Sequence, residues 1–469
     1  MEKRDVVVIG GGPAGYVAAI RAAQLGAKVT LIEEDKLGGT CLNRGCIPTK
    51  FMLRSVETYQ SVKSAERYGI SVSEASLDLP KMQTHKTKVV TDLTSGVGRL
   101  LSANKVEVKS GRAKLNSSKQ VEIDSDQGKR ETIDAAKVIL ATGARPIVLP
   151  VPGADSPDML GVEDLLELKE LPKSLVIIGG GVVGVEMATV LAKLGSQVSL
   201  VEMMPHCLPA QDDEIARVLE GFLGEDGIRV CCSAKVSKIE DTAGGKAVVF
   251  SNGESEQKIE AAAVAVSVGY RPNTEGLGLE ECGVAVEKGG IRVNEKMETS
   301  VPDIYAAGDV VGGMMLAYIA MAEGAVAAEN AAGQNSKIDY NAVPQCIFTL
   351  PEVASVGITE QEAAAQGHEV AIGRFSFAAN GMAAIMGEKR GLVKIISEPK
   401  YGQILGVHII GPQATCLIAE AAMAMKLEST VDDILATIHA HPSLSEAIWE
   451  AAADVKGRAI HNLSRKRGG

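Results

Sequence analysis

Residues 6–34 read VVVIGGGPAGYVAAIRAAQLGAKVTLIEE, and this stretch decides the fold. Val6–Ile9 is a short apolar run of strand length. The three glycines after it cannot continue a strand, and the alanine-rich segment that follows has the composition of a helix. A second apolar run closes on Glu33. Strand, glycine turn, helix and strand form the unit in which G-x-G-x-x-G admits a pyrophosphate. Gly10, Gly12 and Gly15 let backbone approach the phosphates, and the helix N-terminus stabilises their charge. The acid at the end of the second strand can accept from a ribose hydroxyl. The competing reading is a β-α-β unit with tight turns and no ligand.

Residues 175–203, LVIIGGGVVGVEMATVLAKLGSQVSLVEM, repeat the pattern without a gap at an offset of 169. Gly179, Gly181 and Gly184 stand where Gly10, Gly12 and Gly15 stood, Gly195 matches Gly26, and Glu202 matches Glu33. A duplicated unit predicts two dinucleotides, one held and one exchanging. Between Glu202 and Arg217 the only basic-type side chain is His206. A 2′-phosphate wants a nearby arginine and is repelled by Glu202, so the second site is expected to prefer NAD over NADP.

The chain of 469 residues is long for one core and predicts several domains. Its net charge of −11 argues against nucleic acid as the main partner. The basic tail RKRGG reads as solvated. A strand begins within a few residues of Met1, leaving no room for a signal peptide, and the apolar runs are too short to span a membrane. The expectation is a soluble cytoplasmic protein. VILATGARP (138–146) and AVSVGYRPN (265–273) end apolar strands in glycine and Arg-Pro at comparable places after the two units, as domain exits would. VPDIYAAGDV (301–310) runs a strand into Gly-Asp and offers Asp309 to a ligand hydroxyl, or is simply a turn. From about Val343 the character shifts to antiparallel strands (PQCIFTLPEVASVG, GLVKII, GQILGVHIIG) and helices (CLIAEAAMAMKL, LSEAIWEAAADV).

GGTCLNRGCIPTK (38–50) places Cys41 and Cys46 five positions apart. Across a regular helix that spacing is about 8 Å between Cα atoms, against about 4.4–6.8 Å in a disulfide. If the two bond, no undistorted helix can cross both, and Gly45 and Pro48 are the residues that permit a break. A structural role is poorly motivated, because so short a loop gains little from closure. A metal needs further ligands, and no second close Cys/His pair of suitable spacing appears, so no metal is expected. Cys231 and Cys232, on a predicted strand, read as core packing. A redox-active pair is the leading reading for Cys41 and Cys46, with unbonded structural thiols and a metal site behind it.

At this point the motifs resemble a known family. GGTCLNRGCIPTK after an N-terminal Rossmann unit is similar to the redox segment of the class I pyridine nucleotide–disulfide oxidoreductases. The resemblance runs the whole chain, through ATGARP, GYRPN, YAAGDV, TLPEVASVG and HAHPSLSEA. It implies an α/β fold with two Rossmann-like domains and a C-terminal α+β dimerisation domain with an antiparallel sheet. The implied boundaries are 1–148 for the FAD domain, 149–272 for NAD, 273–342 for a central segment completing the FAD side, and 343–469 for the interface. Tight, non-covalent FAD is implied, with Gly10, Gly12, Gly15, Glu33, Thr40, Lys50, Thr142, Gly143 and Asp309 as candidate contacts. For NAD the candidates are Gly179, Gly181, Gly184, Glu202 and Gly269.

The resemblance also implies roles. Cys46 is the thiol against the flavin, and Cys41 exchanges with substrate through a Cys41–Cys46 disulfide. Lys50 and Glu186 match an ion pair beside the flavin, His441 the catalytic base, and Glu446 the carboxylate that orients it; His439 is a decoy. Within the family the chain is most similar to the members that oxidise dihydrolipoamide with NAD⁺. Their implied partners are lipoyl domains of 2-oxo acid dehydrogenase complexes or the lipoyl carrier protein of glycine cleavage, and a second copy of the chain sharing its active sites. Glutathione-type reductases are disfavoured by Glu202 and missing arginines, and mercuric reductase by the lack of a C-terminal cysteine pair beyond Cys416. A non-catalytic flavin- and NADH-binding subunit is disfavoured by Cys41, Cys46 and His441 together. Ser443 and Tyr318 depart from residues common in the family, threonine and histidine respectively, and Arg44 has no assigned role.

Overall fold

A computed structural model describes residues 2–116, 120–125, 128–253 and 255–462. The RKRGG tail lies outside the described residues. The chain divides into two compact units: 1–52 with 78–147 and 269–339, and 53–77 with 148–268 and 340–469.

The first unit is built on β1 (Glu2–Ile9), α1 (Pro13–Gln24) and β2 (Val29–Glu33). β1 lies between β2 and the strand Arg130–Leu140, parallel to both. Glu107–Ser110 extends the sheet beyond β2, and Ile304–Ala306 pairs in parallel with the end of Arg130–Leu140. Val6, Val8, Leu31 and Ile139 face one buried cluster with the alanines of α1, while Val7, Ile9, Ile32 and Leu140 face another. This alternation explains the unbroken apolar runs, since both faces of a parallel sheet are covered. The helix Ala317–Ala331 packs so tightly on α1 that a methyl at Gly324 would lie 2.3 Å from the Ala14 carbonyl oxygen.

The predicted exits lie side by side. Ala144–Pro146 pairs antiparallel with Tyr270–Pro272, and Asn273 closes the ladder with hydrogen bonds to Thr142 and Gly143.

The second unit repeats the parallel core. Ser174–Ile178 lies between Gln197–Val201 and Ala263–Val266, with Arg229–Cys231 at one edge. An antiparallel meander of Lys235–Thr242, Gly245–Ser251 and Glu256–Ala261 joins its core. Residues from 345 onward form a five-stranded antiparallel sheet in the order Gln345–Ile347, Glu352–Gly357, Ile404–Gly411, Leu392–Ser397, Ala371–Ser376. The helices Ala414–Lys426, Val431–Ala436 and Glu446–Val455 share its hydrophobic core. Among the described residues no helix is long and apolar enough to cross a membrane.

Candidate active site and dinucleotide turns

The two glycine turns have the same construction. A methyl at Gly10 (φ +103°) would lie 2.2 Å from the Ala141 carbonyl oxygen, and one at Gly179 (φ +109°) would lie 2.2 Å from that of Ser267. Methyls at Gly15 and Gly184 would meet the carbonyl oxygens of Gly10 and Gly179 at 1.8 and 2.0 Å. Gly10 and Gly179 combine a left-handed backbone with the close approach, and Gly15 and Gly184, inside their helices, need glycine for the close approach alone. Gly12 and Gly181 are the N-caps of their helices and offer no side-chain cap, so the first N–H groups remain available to an anion.

The terminal acids are clamped alike. Glu33 accepts from the N–H groups of Gly11 (2.5 Å) and Asp35 (2.8 Å). Glu202 accepts from those of Gly180 (2.5 Å) and Met204 (2.7 Å). Each carboxylate is thereby fixed at the end of its strand, with lone pairs left over for a ribose. Burial raises the pKa of Glu33 against the lowering effect of the Asp35 and Gly11 N–H groups. Downstream of Glu202, His206 and Arg217 both engage Asp213, at 3.0 and 3.3 Å.

The cysteine segment breaks at Gly45. A short helix, α2 (Gly39–Arg44), ends at Gly45, and α3 (Cys46–Lys63) begins directly after it. Gly45 has φ −141° and ψ −109°, outside helical geometry. Pro48 falls in the first turn of α3, where a missing N–H is harmless. No S–S bond joins the cysteines; they are hydrogen-bonded thiols. Their hydrogen bond, followed by burial, pushes the Cys41 thiol far above its ordinary range, while the charge of Lys50 opposes the shift. Cys46 opens an 18-residue helix, and Lys50 follows it by one turn. Helix dipole and ammonium group together favour a thiolate there.

The segment also abuts the first glycine turn. A methyl at Gly39 (φ +55°) would lie 2.7 Å from Gly12 Cα. The Asn43 amide ties the loop to the carbonyls of Leu37 and Gly39, at 3.0 and 2.9 Å. Thr40 is half-buried, and Arg44 forms an ion pair with Asp35. Asp309 follows Gly308 (φ +79°), is raised in pKa by burial, and adds its charge to the surroundings of Cys41. Thus Gly10–Gly15, Glu33, Thr40, Cys41, Cys46, Lys50 and Asp309 all belong to one unit. Thr142 donates its hydroxyl to the Asn273 carbonyl at 2.8 Å, and Gly143 and Gly269 occupy left-handed positions in the exits. Tyr16 carried no sequence signal, yet it lies near enough to Cys41 for burial and that thiol's charge to raise its own pKa.

His441 and Glu446 meet through the start of the last helix. His441 Nδ1 lies 2.9 Å from Glu446 Oε1, and Glu446 Oε2 accepts from the Ser443 N–H at 2.8 Å. Burial works to raise the Glu446 pKa, but the Ser443 N–H and His441 outweigh it and hold the carboxyl low. An ionised Glu446 suits the tautomer that carries its proton on Nδ1, in which Nε2 is the nitrogen able to accept one. The His441 side chain is 78% exposed. His439 instead bridges Glu420 (2.8 Å) and the Thr437 carbonyl (3.0 Å) and is nearly buried. Glu186 is buried in its helix and accepts from the Phe348 N–H at 2.9 Å. Tyr318 is exposed.

The core-packing expectation holds for Cys231 and requires correction for Cys232. Cys231 does pack partly against a hydrophobic cluster. Cys232, beyond the strand end, instead meets Cys207 (3.9 Å between sulfurs) and Glu220 (3.1 Å). The bend after a three-residue strand separates the neighbours, and no strand alternation governs the second.

Comparison with known proteins places this architecture. The model of the family described as pyridine nucleotide-disulphide oxidoreductase matches residues 4–324, and that of the family's dimerisation domain matches residues 343–452. A dihydrolipoyl dehydrogenase of Bacillus subtilis (strain 168) is 44% identical over 97% of this chain and 99% of its own length. One of Thermus scotoductus is 44% identical over 99% of this chain and 100% of its own. The crystal structure of LpdA from Mycobacterium tuberculosis superposes with a TM-score of 0.88 at 30% identity, covering 96% of this chain and 99% of that one. With both family models matched and such relatives aligned nearly end to end, the chain belongs to the pyridine nucleotide-disulphide oxidoreductases, which work with FAD and NAD(H).

Proposed function

We propose that this protein is a dihydrolipoyl dehydrogenase, oxidising protein-bound dihydrolipoamide with NAD⁺ through Cys41 and Cys46. The observation that carries the reading is the hydrogen-bonded cysteine pair at the start of α3, with Lys50 one turn away and the first glycine turn against the loop. The curated relatives bearing that name support the choice of substrate. The residues fit FAD: the Gly10 and Gly15 positions admit no Cβ, Gly12 opens α1, Glu33 is clamped at a ribose position, and the Asp309 carboxyl is buried in the same unit. Bound FAD supplies the two-electron link between the dithiol and NAD⁺.

In the oxidised enzyme a substrate thiolate attacks Cys41 Sγ, which breaks the Cys41–Cys46 bond and leaves Cys46 as thiolate. Lys50 and the α3 N-terminus stabilise that charge. The second substrate thiol then attacks the substrate sulfur of the mixed disulfide, closing the lipoyl ring and releasing Cys41. His441 Nε2 takes the thiol proton, and Glu446 steadies the imidazolium through Nδ1. Two electrons and one proton pass to NAD⁺ to give NADH, and the second proton goes to solvent. Glu202 is the group that turns away a 2′-phosphate and selects NAD.

The dimerisation domain supports a homodimer. In this reading His441 serves the dithiol of a second copy, the substrate is carried on lipoyl domains of 2-oxo acid dehydrogenase complexes or on the glycine-cleavage carrier, and the enzyme works in the cytoplasm. The test is complementation. Cys41→Ser and His441→Gln homodimers are refolded as an equimolar mixture and assayed with dihydrolipoamide and NAD⁺. Random pairing makes half the dimers mixed, each with one intact site, so roughly a quarter of wild-type activity returns. Verified heterodimers without recovery overturn the shared site. A wild-type enzyme that turns over glutathione but not dihydrolipoamide overturns the substrate.

A further inference from the structure

The second unit contains a dithiol that the reaction does not use. Cys207 is fully buried, and its sulfur supports the second glycine turn: a methyl at Gly180 would lie 3.0 Å from it. Cys232 Sγ is 3.9 Å away, and Glu220 Oε1 lies 3.1 Å from Cys232 Sγ. The same oxygen accepts the Cys207 N–H at 2.7 Å, which holds the carboxylate against both thiols. The three ligand atoms lie within 4.8 Å of one another. They come from three places: the segment after the second turn, the helix Asp213–Glu225, and the end of the strand Arg229–Cys231.

We propose that Cys207, Cys232 and Glu220 form a binding site for one thiophilic divalent cation of the Zn²⁺ class. The geometry is the argument. Around tetrahedral Zn²⁺ with Zn–S bonds of about 2.3 Å, two sulfurs stand roughly 3.8 Å apart, and a sulfur and a carboxylate oxygen roughly 3.5 Å. The observed 3.9 and 3.1 Å require shifts of only a few tenths of an ångström. Two thiolates exclude Mg²⁺ and Ca²⁺, which want oxygen ligands and higher coordination. Cys232 and Glu220 are half-buried, so a fourth position faces the open side for water or an exchanging thiol. Binding forms two metal–sulfur bonds and one metal–oxygen bond and releases the two thiol protons to solvent. At the corresponding place beneath the first turn a leucine stands where the second has Cys207: a methyl at Gly11 would meet Leu37 Cδ2 at 3.0 Å, beside Glu33 Oε2 at the same distance. The thiol is therefore not a requirement of the turn.

The test uses the FAD-loaded full chain carrying Cys41→Ser and Cys46→Ser, so the first dithiol cannot compete, with Cd²⁺ and Zn²⁺ as probes. One equivalent of Cd²⁺ should produce a saturable sulfur-to-metal ultraviolet band in the difference spectrum, with two protons released, and Zn²⁺ should displace it. Adding Cys207→Ser should abolish the band, and adding Cys231→Ser should leave it. Glu220→Gln, whose unchanged circular-dichroism melt reports folding, should weaken Cd²⁺ at least about tenfold, since even outer-shell partners are worth 10–100-fold. No saturable band, or a band indifferent to both Cys207→Ser and Glu220→Gln, overturns the assignment. So does a reduced protein that binds no Cd²⁺ but loses two thiols to oxidised dithiothreitol, which would make Cys207 and Cys232 a redox pair instead.

Discussion

After each glycine turn the chain makes the same bend and then goes to a different chemistry. In the first unit the Gly38 N–H donates to the Gly11 carbonyl at 2.8 Å; in the second the Leu208 N–H donates to the Gly180 carbonyl at 2.9 Å. Both residues are left-handed, at φ +90° and +52°. Glycine adopts that conformation freely, whereas leucine is strained there and is held by full burial. Beneath the turn, Leu37 in one copy faces Cys207 in the other. Past the bend, Gly39 packs on Gly12 and the chain enters the reactive dithiol. In the second copy it enters a helix capped by Asp212, whose side chain accepts from Glu214 N–H and which carries Glu220 to the buried thiol. The duplicated scaffold conserves the hydrogen-bond clamp on the acid, and the residues just outside it decide what each copy does.

The two dithiols sharpen the contrast. Cys46 has a helix N-terminus and Lys50, which favour a thiolate and its release. Cys207 has Glu220 and Glu202 nearby; its hydrogen bond with Cys232, then burial, then those negative charges push its thiol up. The first dithiol has Lys50 to offset Asp309, which suits thiolate exchange with a disulfide, whereas the two carboxylates beside the second suit a bound cation.

The largest expected effect separates the first unit's thiols from every other feature. Cys41→Ser and Cys46→Ser should each lower dihydrolipoamide–NAD⁺ turnover by a factor on the order of 10⁴ or more, as losing a covalent nucleophile does. Either variant retaining a tenth of wild-type activity would falsify the relay.

Next come the glycines. Gly10→Ala should purify with little flavin, because its methyl meets backbone that cannot retreat, while Gly179→Ala should keep flavin and lose NADH affinity. Flavin-to-protein ratios and NADH titrations read the two outcomes. Equal flavin loss in both would break the assignment of one dinucleotide to each copy.

A smaller change is expected from Glu202→Gln. Removing the charge should reduce the NAD:NADP ratio of kcat/KM about tenfold, on the order of 1.4 kcal/mol of lost discrimination. An unchanged ratio would place nucleotide selection elsewhere.

The smallest effect is in the pH dependence of flavin-free protein. Burial raises the folded pKa of Glu33 above its ordinary 4.5. The unfolded chain therefore ionises first, and the stability Glu33 contributes is full below that value and is lost as pH rises through the folded pKa. The melting-temperature advantage of wild type over Glu33→Gln should thus be greatest in acid and shrink toward neutrality. An advantage that grows with pH would mean the Gly11 and Asp35 N–H groups outweigh burial.

Much of this was legible in the chain itself. The two βαβ units follow from local periodicity, and their glycines from steric demands within a few residues. Gly45 could be picked out as the place where a helix across Cys41 and Cys46 would break if the two were to bond, and the chain does break there. The clamp on Glu33 and Glu202 could be anticipated only as an acid at a strand end; its two N–H donors are a property of the bent backbone. Sequence spacing gave no sign that Tyr16 lies near Cys41, or that residues 53–77 belong to the second compact unit.

Cys207, Glu220 and Cys232 show the same limit most plainly. They are separated by 13 and 12 residues, and nothing in their local pattern links them. A strand end, a helix face and the underside of a turn bring them together, because burying the apolar faces of those elements leaves one arrangement of the backbone. Composition and short-range geometry determined the fold and the reactive pair; long-range packing alone decided which other polar groups share a pocket.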